Sequence, residues 1–290
     1  MRAWNISVRR RVKNMNEVKL FQLCTKASEF DGEFKWQAAG MSYMICLSDN
    51  SFVMIDGGYE EDAEPLISKM RELSGESVPC VRLWIITHPH EDHYRALFHV
   101  ATNDRLRSSV DIERLCYSIP KDGKLPGSGY SVERELNEIE RIRENLGCPV
   151  LLPYTGDVVD FENVKIRFLS THNDFDTLND PNELSLVFRV NGPRRSVVFT
   201  GDAYACVTQR VCFDFWDELK SDFCQVAHHG LNGGSADFYA KVDAKTVLIP
   251  ISKSGEAYMN KQKCFWPRFF AEKNAEIVVR ACDGDAEFLM

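Results

Sequence analysis

The sequence predicts a layered α/β or α+β protein with mixed sheets, and three observations carry that expectation. The chain has 290 residues, 44% hydrophobic and 27% charged, the make-up of a globular protein that buries a large core without staples. Apolar runs of strand length recur along it, several of them joined by tight turns as hairpins. Others alternate with amphipathic helical stretches, so a purely parallel doubly wound sheet does not fit.

The elements follow in order. Residues 1–16, with the basic run "RRRVK" from Arg9 to Lys13, read as a flexible basic tail ahead of a single domain over 17–290. A mitochondrial leader is the sharper reading of that run, and the lack of a long Ser/Arg-rich amphipathic stretch counts against it. "EVKLFQL" begins the strands, and "SYMICL" and "FVMID" flank the turn "SDNS" as a hairpin. "EEDAEPLISKMREL" has acids first, a base late and apolar positions on one helical face. "VRLWIIT", Val81 to Thr87, is apolar throughout, as suits a strand buried on both faces. "YRALFHVAT" reads as a helix, "RLCYSI" as a strand, and "SVERELNEIERIRENLG" as an amphipathic helix stopped by Gly147. "VKIRFLST", "ELSLVFRV", "RSVVFTGD", "FCQVAHHG", "TVLIPIS" and "AEIVVRA" supply further strands. The aromatics of "YMNKQKCFWPRFF" are expected to complete the core or cover a sheet edge. No internal repeat or low-complexity segment is present.

Composition excludes several roles. The formal net charge of −8 argues against a broad nucleic-acid surface. The pairs Arg105/Arg107 and Arg194/Arg195 read as solvated loop charge and leave nucleic acid weakly supported as a substrate. No apolar run reaches the ~20 residues of a membrane span, and no signal-peptide pattern opens the chain. The ten cysteines are scattered without a C-x-x-C pair, as expected of reduced, mostly buried thiols in a cytoplasmic protein.

The chemistry concentrates in "THPHEDHYRAL". Three of the chain's seven histidines, His88, His90 and His93, surround Asp92 there. Imidazole with carboxylate is a donor set suited to zinc, and manganese or iron accept the same ligands. His88 and His90, two apart in a turn, can grip one ion while Asp92 and His93 turn toward a second. Three further signals agree: His172 in "STHND", Asp202 in "VVFTGDA", and His228 and His229 in "QVAHHG". Each follows an apolar strand. Singly, such a histidine is ordinarily a hydrogen-bonded structural residue and a Gly-Asp is ordinarily a turn. Together they use every histidine but His99, which lies within a helical stretch.

With these motifs the sequence resembles the metallo-β-lactamase-fold hydrolases over roughly residues 17–255. "VMIDGG" is similar to that family's first motif, with Asp56 structural. "THPHEDH" matches the second. His172, Asp202 and "HHG" stand as the third, fourth and fifth. The spelling "SLVFRV…SVVFTGDA…QVAHHG" is most similar to the hydrolase domain of bacterial DNA-uptake channel proteins and to a phosphorylcholine esterase. The resemblance implies a four-layer αβ/βα sandwich of two mixed sheets with metals at one edge. It implies one ion on His88, His90 and His172, another on Asp92, His93 and His229, and Asp202 bridging them. Residues from about 102 to 154 read as an insertion beside the pocket. Either histidine of "HHG" could be the ligand. His229 is assigned that role, and Asp92 and His228 are the expected catalytic side chains, His228 as proton donor or substrate contact.

The expected function is metal-dependent hydrolysis by a hydroxide shared between two divalent ions, with a phosphodiester or other small molecule as substrate. Hydrolysis of a carbonyl compound (thioester, lactone or β-lactam) is the alternative at the same site. A diiron redox role would ordinarily require a flavin module, for which the chain has no room. A binding module with a silent site does not explain so complete a donor set.

Overall fold

A computed structural model describes residues 3–5, 17–35, 40–262 and 268–290. Two eight-stranded sheets face each other. The first contains β2 (Lys19–Gln22), β3 (Ser42–Cys46), β4 (Phe52–Asp56), β5 (Cys80–Ile85), β6 (Asp111–Ile112), β7 (Leu115–Cys116), β8 (Val150–Leu151) and β16 (Ala286–Leu289). The second contains β1 (Ala3–Asn5), β9 (Val158–Asp160), β10 (Lys165–Ser170), β11 (Val187–Asn191), β12 (Ser196–Phe199), β13 (Phe223–Gln225), β14 (Thr246–Ile249) and β15 (Ile277–Arg280). Both are mixed: β3 and β4 form an antiparallel hairpin, while β12, β13 and β14 run parallel.

Side-chain alternation separates the layers, because successive residues of a strand point to opposite faces. Tyr43, Ile45, Val53, Ile55, Leu83 and Ile85 meet Ile166, Phe168, Phe188, Val190, Val197 and Phe199 between the sheets. Their neighbours Met44, Met54 and Trp84 turn outward. There they pack under α1 (Ala63–Ser74), α2 (Glu91–Thr102) and α4 (Glu133–Leu146). On the far side Val187, Val198, Cys224 and Val247 pack under α5 (Ala205–Phe215), α6 (Ala236–Val242), α7 (Lys253–Gln262) and α8 (Arg268–Lys273). The result is the four-layer αβ/βα sandwich of the metallo-β-lactamase fold. Phe188 sits at the centre of the inter-sheet core, 5.2 Å from the ring of Phe199, and cutting it to alanine would cost about 3–5 kcal/mol.

Several elements differ from the sequence reading. α2 begins at Glu91 rather than Tyr94. His90 is its extended N-terminal flank, and the acids Glu91 and Asp92 suit the positive end of a helix. "ELSLVFRV" is a strand only from Val187; Pro181–Leu184 form a tight turn that Asp180 caps at the Asn182 N–H, 2.9 Å away. β9 and β16 carried too little periodicity to be read as strands. The expected tail over 1–16 is strand over Ala3–Asn5, which pairs with β9 in parallel; residues 6–16, with the basic run, lie outside the described residues. Residues 102–154 contribute α3 (Asp104–Arg107), β6, β7, α4 and β8, and so extend the first sheet and its helical layer.

Arg105 and Arg107 are ion-paired to Glu64 and Asp104, and Arg194 to Glu17 at 3.1 Å. Four of the described cysteines, Cys46, Cys116, Cys212 and Cys224, are buried and Cys206 is exposed. Cys264 and the "FWP" that follows it lie outside the described residues. Tyr258, Met259 and Phe270, from the same aromatic stretch, pack into the core beneath α7 and α8. Among the described residues no helix is long and apolar enough to cross a membrane.

Candidate metal centre

The ends of β4, β5, β12 and β13 come together at one edge of the sandwich. Asp56 closes β4 in the left-handed region, at φ 55°. It is fully buried. Its Oδ1 accepts the Thr87 N–H at 2.8 Å, and its Oδ2 accepts the Thr87 hydroxyl at 2.8 Å. The same Oδ2 accepts Nδ1–H of His93 at 2.7 Å. This bond fixes the ring and turns Nε2 toward the other carboxylates, in the manner of carboxylate-supported metal histidines.

Asp202 is the hub. Its Oδ2 lies 3.3 Å from His229 Nε2, 3.4 Å from His93 Nε2, 3.8 Å from His88 Nε2 and 3.9 Å from His228 Nε2. Asp92 Oδ2 is 2.9 Å from His229 Nε2 and 3.6 Å from His93 Nε2. Buried hydrogen bonds fix the loop that carries Asp202. Ser185 Oγ accepts its N–H at 3.0 Å. Gln225, wholly buried, accepts from Thr200 N–H at 2.7 Å and donates to the Gly201 carbonyl at 3.0 Å, tying this loop to β13. Gly201 has φ 51°, and a Cβ there would meet Thr87 and Ser185 at 3.0 Å, so only glycine suits the position.

His228 and His229 are also left-handed, with φ of 50° and 53°. Three non-glycine residues in this conformation at one site, counting Asp56, store about 1–2 kcal/mol each. The bend aims the two imidazoles differently. His229 donates Nδ1–H to the Pro250 carbonyl at 2.8 Å and presents Nε2 to the carboxylates. His228 gives its Nδ1–H to Asn232 Oδ1 and stands at the rim, beside the Tyr204 ring at 5.5 Å.

Electrostatics follow from this packing. Burial opposes charge on His93 and His229, but Asp202 and Asp92 outweigh it, holding His93 well above its ordinary range and His229 up to about 10. Asp202 is held well below the usual carboxylate range by His229 and His93 in spite of its burial. Burial, with the like charge of His93, pushes His88 far down, and burial also lowers His172 and His228.

The donor set fits a divalent cation. Buried His93 Nε2, His229 Nε2 and Asp202 Oδ1 have no hydrogen-bond partner, though opposite charges stand close by. Buried polar atoms are rarely left so, and a cation between them would satisfy all three. Ligand atoms of Asp92, His93, Asp202 and His229 lie within 4.8 Å of one another, as do those of His88, His90 and Asp202. Asp202 belongs to both groups.

Six of the seven expected ligands are thus brought together. His172 is in neither group; its Nδ1 lies 2.7 Å from Ser118 Oγ, in the segment after β7. His99 lies on α2 with Nδ1 4.0 Å from Glu60. Thr87, Ser185, Gln225, Asn232 and Ser118 escaped the sequence reading. Thr87 and Gln225 border the histidine motifs and were open to notice, whereas Ser118 and Ser185 gave no signal.

Solved structures share this architecture. The metallo-β-lactamase fold protein YhfI from Bacillus subtilis has a TM-score of 0.58 at 14% identity, with 94% of this chain and 100% of that one covered. Zn2+-bound PqqB from Methylobacterium extorquens gives 0.54 at 8% identity, covering 94% and 100%. CmlA, a diiron β-hydroxylase from Streptomyces venezuelae, gives 0.53 at 11% identity; the match covers 95% of this chain and 55% of CmlA. At these identities the likeness speaks to fold alone. No curated protein sequence matched. The sequence profile of the metallo-beta-lactamase superfamily matches residues 37–249, the span that holds both donor groups, and the chain belongs to that superfamily.

Proposed function

We propose that the protein is a metal-dependent hydrolase with two divalent ions, most suitably zinc, acting on a phosphodiester. The observation that carries this reading is the pair of donor groups sharing Asp202. Asp92, His93 and His229 would hold one ion, His88 and His90 the other, with Asp202 common to both. Ions bound there supply hydroxide at neutral pH, by lowering the pKa of water toward ~7, and offset the charge that develops on substrate oxygens.

The chain's own side chains do the rest. Asp56 and Thr87 keep the His93 ring in one orientation. His228 donates Nδ1–H to Asn232, which fixes its ring at the rim, where it would contact the substrate or pass a proton to the leaving oxygen. A cleft of about 410 Å³, lined by Lys26, Phe30, Lys35, Tyr59 and Glu91, opens next to the histidine motif and would receive the remainder of the substrate. The choice of phosphorus over carbonyl rests on the likeness of "SLVFRV…SVVFTGDA…QVAHHG" to the DNA-uptake and phosphorylcholine esterase branch. The test is hydrolysis of bis-p-nitrophenyl phosphate by zinc- or manganese-loaded protein, set against a panel of thioesters, lactones and β-lactams. Turnover confined to the carbonyl panel would overturn the phosphodiester assignment, and turnover of neither would overturn the hydrolase.

A further inference from the structure

The strap from Asn179 to Leu186 has a second attachment at the site besides Ser185. Asn182, buried in the turn Pro181–Leu184, donates Nδ2–H to the phenol oxygen of Tyr204 at 2.9 Å. Its Oδ1 is buried without a partner. Leaving such an atom unpaired costs about 1–3 kcal/mol and calls for a reason. Tyr204 follows Asp202 by two residues and flanks the N-terminus of α5 in extended conformation, with φ −78° and ψ 174°. Its half-buried ring lies against His228, itself partly open at the rim. The phenol therefore accepts from Asn182 and keeps its own proton uncommitted.

We propose that Tyr204 is a further catalytic residue, whose O–H donates a hydrogen bond to a substrate oxygen that gains negative charge, and that Asn182 is its positioning residue. This rests on the hydrolase reading above. No proton is transferred: the phenol donates a hydrogen bond, strongest when the phosphoryl oxygen is most negative. Asn182 acts by fixing where the phenol oxygen sits. A rigid strap anchored on Asp180 suits that task, because one turn holds both the Asp202 backbone, through Ser185, and the tyrosine that would face the same substrate.

Tyr204→Phe removes the hydroxyl and keeps the ring on His228. The zinc-loaded variant should retain the wild-type zinc content, bind inorganic phosphate about 10-fold more weakly by calorimetry, and lose about 10²-fold in kcat with KM changed less than about threefold. Asn182→Ala should weaken phosphate binding in the wild type and add nothing in the Tyr204→Phe background, as residues acting through one hydroxyl do. Wild-type phosphate affinity in Tyr204→Phe at equal zinc content overturns the proposal, as does a wild-type protein that takes up no phosphate. If phosphate binding falls as expected but the wild type hydrolyses neither panel, Tyr204 binds phosphate only, and its catalytic assignment is overturned together with the hydrolase reading. If the wild type hydrolyses phosphodiesters and Tyr204→Phe does so equally well, Tyr204 alone is wrongly assigned.

Discussion

Asp92, His93, Asp202 and His229 are drawn from both halves of the sandwich, whereas His88 and His90 reach Asp202 from a single loop. The first group is internally balanced. Two carboxylates held charged face two imidazoles held charged, so it can stay folded around its own ion pairs. The second has no such balance: His88 is driven neutral by burial, and His90 is only half-buried. Four protein donors fill a zinc site, whereas three leave a position for water or substrate. On the function proposed above, the first group would anchor an ion and the second would carry the chemistry, though they meet at one carboxylate.

The largest effect should come from Asp202→Ala, which removes the shared donor. Both equivalents of zinc should be lost by elemental analysis, and kcat/KM should fall about 10³-fold or more, or roughly 4 kcal/mol of transition-state stabilisation. A variant that kept one tight equivalent would show that the groups are independent and break the comparison. His88→Ala should instead lose one equivalent and keep the other. Thr87→Val comes next, since it takes from Asp56 the hydroxyl that shares Oδ2 with His93. Zinc affinity of the anchoring group should fall about 10- to 100-fold, read by competition with a chelator.

pH separates the groups by sign. In metal-free protein the raised values of His93 and His229 mean that their ion pairs stabilise fully below the unfolded value of ~6.5. That contribution is lost as pH rises toward the His229 value of about 10. His88 is depressed, so its contribution is full above ~6.5 and fades as pH falls. The melting temperature in EDTA should therefore decline on the alkaline side, over the window in which zinc affinity improves. Zinc binding at pH 7 should release protons from His93 and His229, seen as a calorimetric enthalpy that depends on the buffer's ionisation heat. Binding without proton release would mean that the anchoring imidazoles are already neutral.

The same contrast governs what could be read from the sequence. His88, His90, Asp92 and His93 fall within six consecutive positions, so their clustering is visible before any fold is known. Asp202 and His229 are one or two dipeptides past apolar strands, and only the convergence of those strand ends gives them meaning. That Tyr43 and Ile45 turn inward while Met44 turns outward was not legible, because the strand is apolar almost throughout and buried on both faces. Nor were the supporting groups. Ser185 and Ser118 are ordinary serines whose role comes entirely from tertiary placement. The strand at Ala286–Leu289 exists because it closes the edge at Lys19–Gln22, a pairing across almost the whole chain.

His172 should give the smallest effect and the sharpest reading of the second group. Ser118 engages its Nδ1 at 2.7 Å and also accepts its backbone N–H at 3.2 Å. Two bonds to one hydroxyl hold this residue, half-buried, and they leave Nε2 as its single ligand atom. If the second ion needs only His88, His90 and Asp202, His172→Ala should keep both equivalents of zinc and lose less than about tenfold in kcat/KM. Ser118→Ala should then do still less. If zinc loading instead draws His172 in as a further donor, His172→Ala should lose one equivalent as His88→Ala does. Ser118→Ala should in that case weaken the same equivalent by about 10-fold, since it would free the ring that the hydroxyl orients. Paired zinc counts on these two variants separate an open, three-donor position from a closed one, and with it the division between an anchoring and a reacting ion.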